Sequence, residues 1–340
     1  MAKRQILEVS SAGIVCSLGD NVELVCGAVG AGISALSNST MLGSNSTPLR
    51  MSLIPEDVVA PTCGALNKEA LSSRHRRLIS IASHALNSLL EQEHITTAPP
   101  LFLATPESLP RAPCTLPDTF LQTLMDQTSS EFDLENSKTI AHGRSGGLVA
   151  LNRAFDYIYS GKGELAIIGG VDTYLDSRLL AMLDLWGRAK VEGSMYGFFP
   201  GEGATFLALR REGARASLGN LSLPAFSQEE SHYYSDKPHL GEALNQAVAS
   251  AIQNRGTSSI CQILSSHNGE PYYSKEFGVM MTRSSSYFSS GFEHHHPSEF
   301  FGDIGAAITP TLILLATRNK TTSLVYGSSD MGSRSAVCVN

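Results

Sequence analysis

The stretch Thr139–Phe155, TIAHGRSGGLVALNRAF, brings a histidine, an arginine and a serine to a glycine-rich turn that runs straight into an apolar segment. Leu148, Leu151 and Phe155 recur at helical spacing, so the turn is expected to open a buried helix. Enzymes seat nucleophiles at such turns, because a helix N-terminus favours negative charge on the attacking atom. No cysteine stands here; Arg144 and Ser145 do. A serine nucleophile needs a base within hydrogen-bond reach, and His267, in SSHNGEP, is the candidate. His142 reads as a turn histidine whose ring is satisfied locally. Glu202, in GEGA, reads as a carboxylate that holds a loop, among glycines free to take conformations that a Cβ forbids. The run His294-His295-His296 reads as an exposed loop rather than a metal site, since adjacent residues of an extended chain point to different sides. Neither a metal nor another cofactor is expected.

The elements that must position these groups alternate in type. ILEVSSAGIVCSLG is a strand and turn, and NVELVCGAVGAGISAL a helix with small residues. RRLISIASHALNSLLEQE carries apolar positions at helical spacing, whereas PLFLATPE, ELAIIGGVDTYLD and FFPGEGATFLALRRE are short apolar strands. The second half repeats the theme: helix HLGEALNQAVASAIQN, strand SICQILSSHNGE, helix FGDIGAAITPTLILLATRN, and closing strands TTSLVYGSSD and SAVCVN. Each half thus contains a helix that opens at a turn of small residues, which makes the chain α/β. Ser44–Pro61, Arg210–Pro238 and TRSSSYFSSGFEHHHPSEF read as loops.

A net charge of −7 excludes a nucleic-acid partner, since phosphate binding needs clustered cations. The one basic cluster, RHRRL at Arg74–Leu78, reads as a solvated helix face. No run approaches the roughly 18 apolar residues of a membrane span, and the start lacks the apolar core of a signal peptide. Cys16, Cys26, Cys63, Cys114, Cys261 and Cys338 have no CxxC spacing, which points to reduced thiols in a cytoplasmic protein.

The order of motifs resembles the β-ketoacyl-acyl carrier protein synthases of the thiolase-like superfamily. AGIVCSLGDNVELVCGAVGAGIS is similar to that family's opening strand, turn and first helix. GRSGGLVAL, AIIGGVD and GFFPGEGATFLAL resemble its nucleophile helix, its GG-D strand and its GEGA strand. SSHNGEP falls at its first catalytic histidine and FGDIGAAITP at its second. The resemblance implies a five-layer α/β/α/β/α sandwich of two pseudo-equivalent halves, 1–212 and 213–340. It places Arg144 on the catalytic cysteine, His267 on the first histidine and Asp303 on the second. Ser298 replaces a lysine, and YGSSDMGSR replaces the C-terminal FGFGG loop.

With two of three catalytic positions changed, the resemblance implies a catalytically degenerate protein without condensing activity. Such a protein would serve as a structural or regulatory partner in fatty acid or polyketide biosynthesis, or would bind an acyl chain or acyl carrier protein. One alternative is an acyltransferase or hydrolase using Ser145 and His267; another is an adaptor that docks an unrelated protein. The resemblance also implies a homodimer, or a heterodimer with a ketosynthase-like protein, in which ELAIIGGVD pairs across the two-fold axis. An arginine buried at a helix N-terminus needs an anion. Asp303 is therefore expected to bond Arg144 at about 2.7–3.2 Å, with His267 one contact further and Glu270 in reserve.

Overall fold

Apolar runs bounded by turn residues become strands, and segments with apolar positions at helical spacing become helices. The computed structural model describes residues 4–59, 71–213, 217–256 and 259–340. Its first half runs β1 (Ile6–Cys16), α1 (Val22–Gly30), β2 (Ser37–Leu42), β3 (Pro48–Met51), α2 (Ser73–Leu90), β4 (Leu101–Ala104), α3 (Phe120–Met125), β5 (Lys138–Ile140), α4 (Gly146–Tyr159), β6 (Leu165–Thr173), α5 (Ser177–Leu185) and β7 (Glu202–Arg211). The second half runs β8 (Gly219–Ser222), β9 (Ala225–Gln228), α6 (Glu242–Arg255), β10 (Ile260–Ser265), α7 (Pro271–Ser284), β11 (Phe288–His295), α8 (Ser298–Phe301), α9 (Ile308–Thr317), β12 (Ser323–Ser328) and β13 (Ser333–Val339).

The two halves repeat one plan. In the first, β5, β4 and β6 are parallel, and β7 and then β1 follow antiparallel. In the second, β11, β10 and β12 are parallel, and β13 is followed antiparallel by β8 and β9. Edge pairing of β8 with both β1 and β13 joins the two half-sheets into one hydrogen-bonded path. Helix α2 covers the outer face of the first half-sheet, α6 and α7 cover that of the second, and α4 and α9 lie between them. This is the five-layer α/β/α/β/α arrangement. Strand β6 shows why both faces must be covered. Its Ile168 enters the central core with Leu148 of α4 and Leu312 of α9, while Ile167 enters the outer core beneath α2.

Four expectations need correction. ELAIIGGVD cannot pair across a two-fold axis, because β6 is interior, bonded to β7 on one side and β4 on the other. The three segments read as loops contain β3, then β8 and β9, then β11 and α8. Residues 60–61 of the first lie outside the described residues. These strands are short or half-exposed, so their polar faces hide the alternation, and neighbouring strands set their pairing. The cluster at Arg74–Leu78 is not simply solvated: Arg74 and Arg77, one turn apart on α2, face inward to Asp172 and Glu202 at 3.2 and 2.6 Å. Finally, His294 and His295 end β11 and His296 follows it, all three half-buried rather than on an exposed loop. Cys16 and Cys338 are buried free thiols, Cys26, Cys114 and Cys261 are half-buried, and Cys63 lies outside the described residues.

Candidate functional site

Both halves build the same local device. Gly143 and Gly305 take φ of +48° and +52°, conformations that favour glycine, and each opens a single 3-10 turn. The turns Gly143–Ser145 and Gly305–Ala307 run into the buried helices α4 and α9. A Cβ at Gly143 would meet the Glu107 side chain at 2.7 Å, and one at Gly305 the Asp172 carboxylate at 2.0 Å. The two turns therefore bring Arg144 and Asp303 together with two further carboxylates.

Arg144 is 2% exposed. Its Nη1 donates to Asp303 Oδ2 at 2.6 Å and its Nε to the Ser328 carbonyl at 3.1 Å. Its Nη2 faces Asp330 Oδ1 and the Tyr273 hydroxyl, and the guanidinium lies 4.8 Å from the Tyr273 ring centroid. Asp303 also accepts from Asn268 Nδ2 at 2.9 Å and from the Gly305 amide at 2.9 Å. A second buried arginine continues the network. Arg188 grips Glu270 with Nε and Nη2, both at 2.7 Å, while its Nη1 donates to Asp330 Oδ2 and the Tyr234 hydroxyl, both at 2.6 Å. The bidentate fork is the strong geometry for such pairs. A third, Arg334, binds Glu276 Oε1 at 2.6 Å. Glu107 holds the Ser329–Met331 loop, accepting from the Asp330 and Met331 amides and the Ser329 hydroxyl.

Burial alone would raise the Asp330 carboxyl, but the Arg144 and Arg188 guanidiniums hold it well below the usual carboxylate range. Burial, reinforced by neighbouring Asp330, pushes Glu107 up. Burial pushes Asp172 up to about 6 against the pull of Arg74. The cavity beside Arg144, lined by Glu107, Asp172, Tyr174 and Asp330, holds only about 20 Å³. That is room for one water and not for an acyl chain.

The arginine and aspartate singled out in the sequence thus meet directly, at a distance just under the expected range. The other expected neighbours are arranged differently. Glu270 serves Arg188, not Arg144. No hydrogen bond joins His267 to Arg144 or Asp303; the adjacent Asn268 bridges Asp303 and Glu270. An amide can donate to both carboxylates, whereas His267 Nδ1 is already used in accepting the Gly269 amide at 3.1 Å. His267 Nε2 meets Ser274 Oγ at 2.8 Å. Ser145 Oγ, fully buried, donates to the His142 carbonyl at 3.1 Å, and no hydrogen bond joins Ser145 to His267. His142 is exposed and reaches Ser333 Oγ at 3.4 Å. Glu202 accepts from the Ile54 amide, Thr173 Oγ1 and the Arg77 fork, so it fastens the segment after β3 to α2 and β6.

No protein-family profile matches the chain, and no curated protein matches it in sequence. Solved structures do match in fold. The oxazolomycin ketosynthase domain of Streptomyces albus superposes with a TM-score of 0.80 at 13% identity, covering 99% of this chain and 75% of that one. The ishigamide ketosynthase/chain length factor superposes at 0.77 and 14% identity, with 99% of both chains covered. A type II polyketide ketosynthase solved with its acyl-carrier protein superposes at 0.75 and 14% identity, again over 99% of each. The fold of this chain is the thiolase-like fold of the ketosynthases.

Proposed function

We propose that this protein is a ketosynthase-fold partner subunit whose condensing site has been converted into a buried ionic plug. The observation that carries this reading is the Arg144 guanidinium held between Asp303 and Asp330, beside a cavity of about 20 Å³. Condensation needs a nucleophile that accepts the acyl chain and groups that stabilise the enolate oxygen. A guanidinium cannot attack, a carboxylate cannot supply an imidazole's proton chemistry at neutral pH, and the cavity beside Arg144 has no room for an acyl chain. The plug also argues against an acyl-binding role and favours a scaffold, structural or regulatory. The rival use of Ser145 and His267 as a hydrolytic or acyltransfer pair is disfavoured by their separate hydrogen bonds. Whether the role is exerted on a ketosynthase-like subunit, a second copy, an acyl carrier protein or an unrelated docked protein is a choice among partners. The names of the fold neighbours, a ketosynthase/chain length factor and a ketosynthase with its carrier protein, support the first and third. We place the division between halves at 212/213, in the link from β7 to β8. A malonyl-dependent condensation assay tests the proposal: neither the wild type nor Arg144→Cys should turn over, and measurable condensation by the wild type would end it.

A further inference from the structure

Three histidines that the plug does not use converge at the end of β10. The His267 and His296 ring centroids lie 5.4 Å apart, and those of His294 and His296 5.6 Å apart. His294 stacks on Phe277 of α7 at 4.0 Å and meets Ser265 Oγ of β10 at 2.8 Å. His267 Nδ1 is the acceptor of its own turn, and His296 Nδ1 is buried without a partner. The groups facing the cluster offer little negative charge. Glu299 of α8 stands 4.0 Å from His296 Nε2, and Glu293 is paired with His295. Glu276 of α7 is engaged by Arg334 and Ser328, and Arg144 adds a repelling positive charge on His267. The cluster ties together the end of β10, α7 and the segment leading from β11 into α8. Among the described residues, strand β11 is the outer strand of its half-sheet and pairs with β10 alone.

We infer that His267, His294 and His296 form a proton-sensitive latch that holds the edge strand β11 and helix α8 against β10 and α7. With the imidazoles neutral, the stack on Phe277 and the serine hydrogen bonds close the latch. A proton on His267 Nδ1 sets an N–H against the Gly269 N–H, and a second proton nearby puts like charges in ring contact. Burial first, and then neighbouring rings, push His267 down to about 4 and His294 to about 3, so the latch resists protonation until the pH is well below neutral. As the pH falls from 6.5 toward those values, opening of the segment 288–301 becomes progressively easier while the Arg144–Asp303 pair remains.

Hydrogen exchange at pH 7 and pH 4.5, corrected for intrinsic rates, tests this on the full chain. Protection of 288–301 should fall on the order of tenfold per ring for each pH unit below 6.5, with α4 and α9 losing no more than the global stability measured by urea melts at the same pH. The half-exposed His296→Gln should blunt that fall. Imidazole NMR titration of the wild type gives a readout that needs no variant, and the His267 and His294 midpoints should lie below 6.5. Equal protection at both pH values, a loss spread evenly over α4 and α9, or midpoints at 6.5 would each overturn the latch.

Discussion

Arg144 occupies a position where a bare positive charge is unfavourable, at a buried turn before α4. It is tolerated because Asp303 and Asp330 both bond it, so the residue and its anions stand or fall together. Replacing it strands two carboxylates, although Asp303 keeps Asn268 and Asp330 keeps Arg188. Arg144→Ala should therefore lower stability by about 3–5 kcal/mol, read as a reduced urea midpoint at unchanged slope. An exposed control such as Arg76→Ala should change it little. An equal effect of the two would mean that Arg144 is not a buried ionic centre. The sequence showed Arg144 and Asp303 as complementary charges because each sits in a recognisable motif. It did not show Asp330, Arg188 or Tyr273, whose partners lie 186, 142 and 129 residues away and leave no local pattern. Asp330 lies within YGSSDMGSR, which in the sequence marks only the replacement of a loop.

At the scale of elements, the plug depends on how closely α4 and α9 approach. A Cβ at Gly147 would lie 2.4 Å from Pro310 Cδ and 2.5 Å from Thr309 Oγ1, so the backbone of α4 packs directly on these two side chains of α9. Gly147→Ala should cost about 1–3 kcal/mol through overpacking; a denaturation midpoint equal to the wild type would show that the helices part freely. These two helices were the most legible elements, since their apolar periodicity begins at small-residue turns that both halves share. The place of β6 was not legible. An apolar strand reads alike at an edge and in the interior, and only the pairing with β4 and β7 decides. The Ser-rich β11 is not legible for the opposite reason: as a half-exposed outer strand it lacks an apolar face strong enough to set a period of two.

For the whole molecule, the strand path among the described residues ends at β5 and β11, and β5 is the one that leads, through Ala141 and His142, into the turn of Arg144. A dimer built on β5 would cover an edge that solitary sheets must otherwise protect. Light scattering at micromolar concentration should give a mass near twice that of the chain; a monomer would count against it. Among the described residues, no helix is long and apolar enough to cross a membrane. Acid should weaken the fold. His267 and His294 have native pKa values depressed below 6.5, so the unfolded chain takes up protons first. Stability is full above about pH 6.5 and falls toward pH 4. Asp172, raised to about 6, works in the opposite sense, its cost being relieved on acidification. Glu107, also pushed up by burial, adds to that relief, but burial depresses His75, His142 and His239 as well, so urea melts at pH 7 and 5 should show a net loss; a gain would reverse the assignment. The central claim, that the old active site is plugged and inert, meets its most direct test in intact-mass spectrometry after incubation with acyl-CoA or acylated carrier protein. The plug predicts the unmodified mass, and a covalent acyl adduct, above all on Ser145, would contradict it.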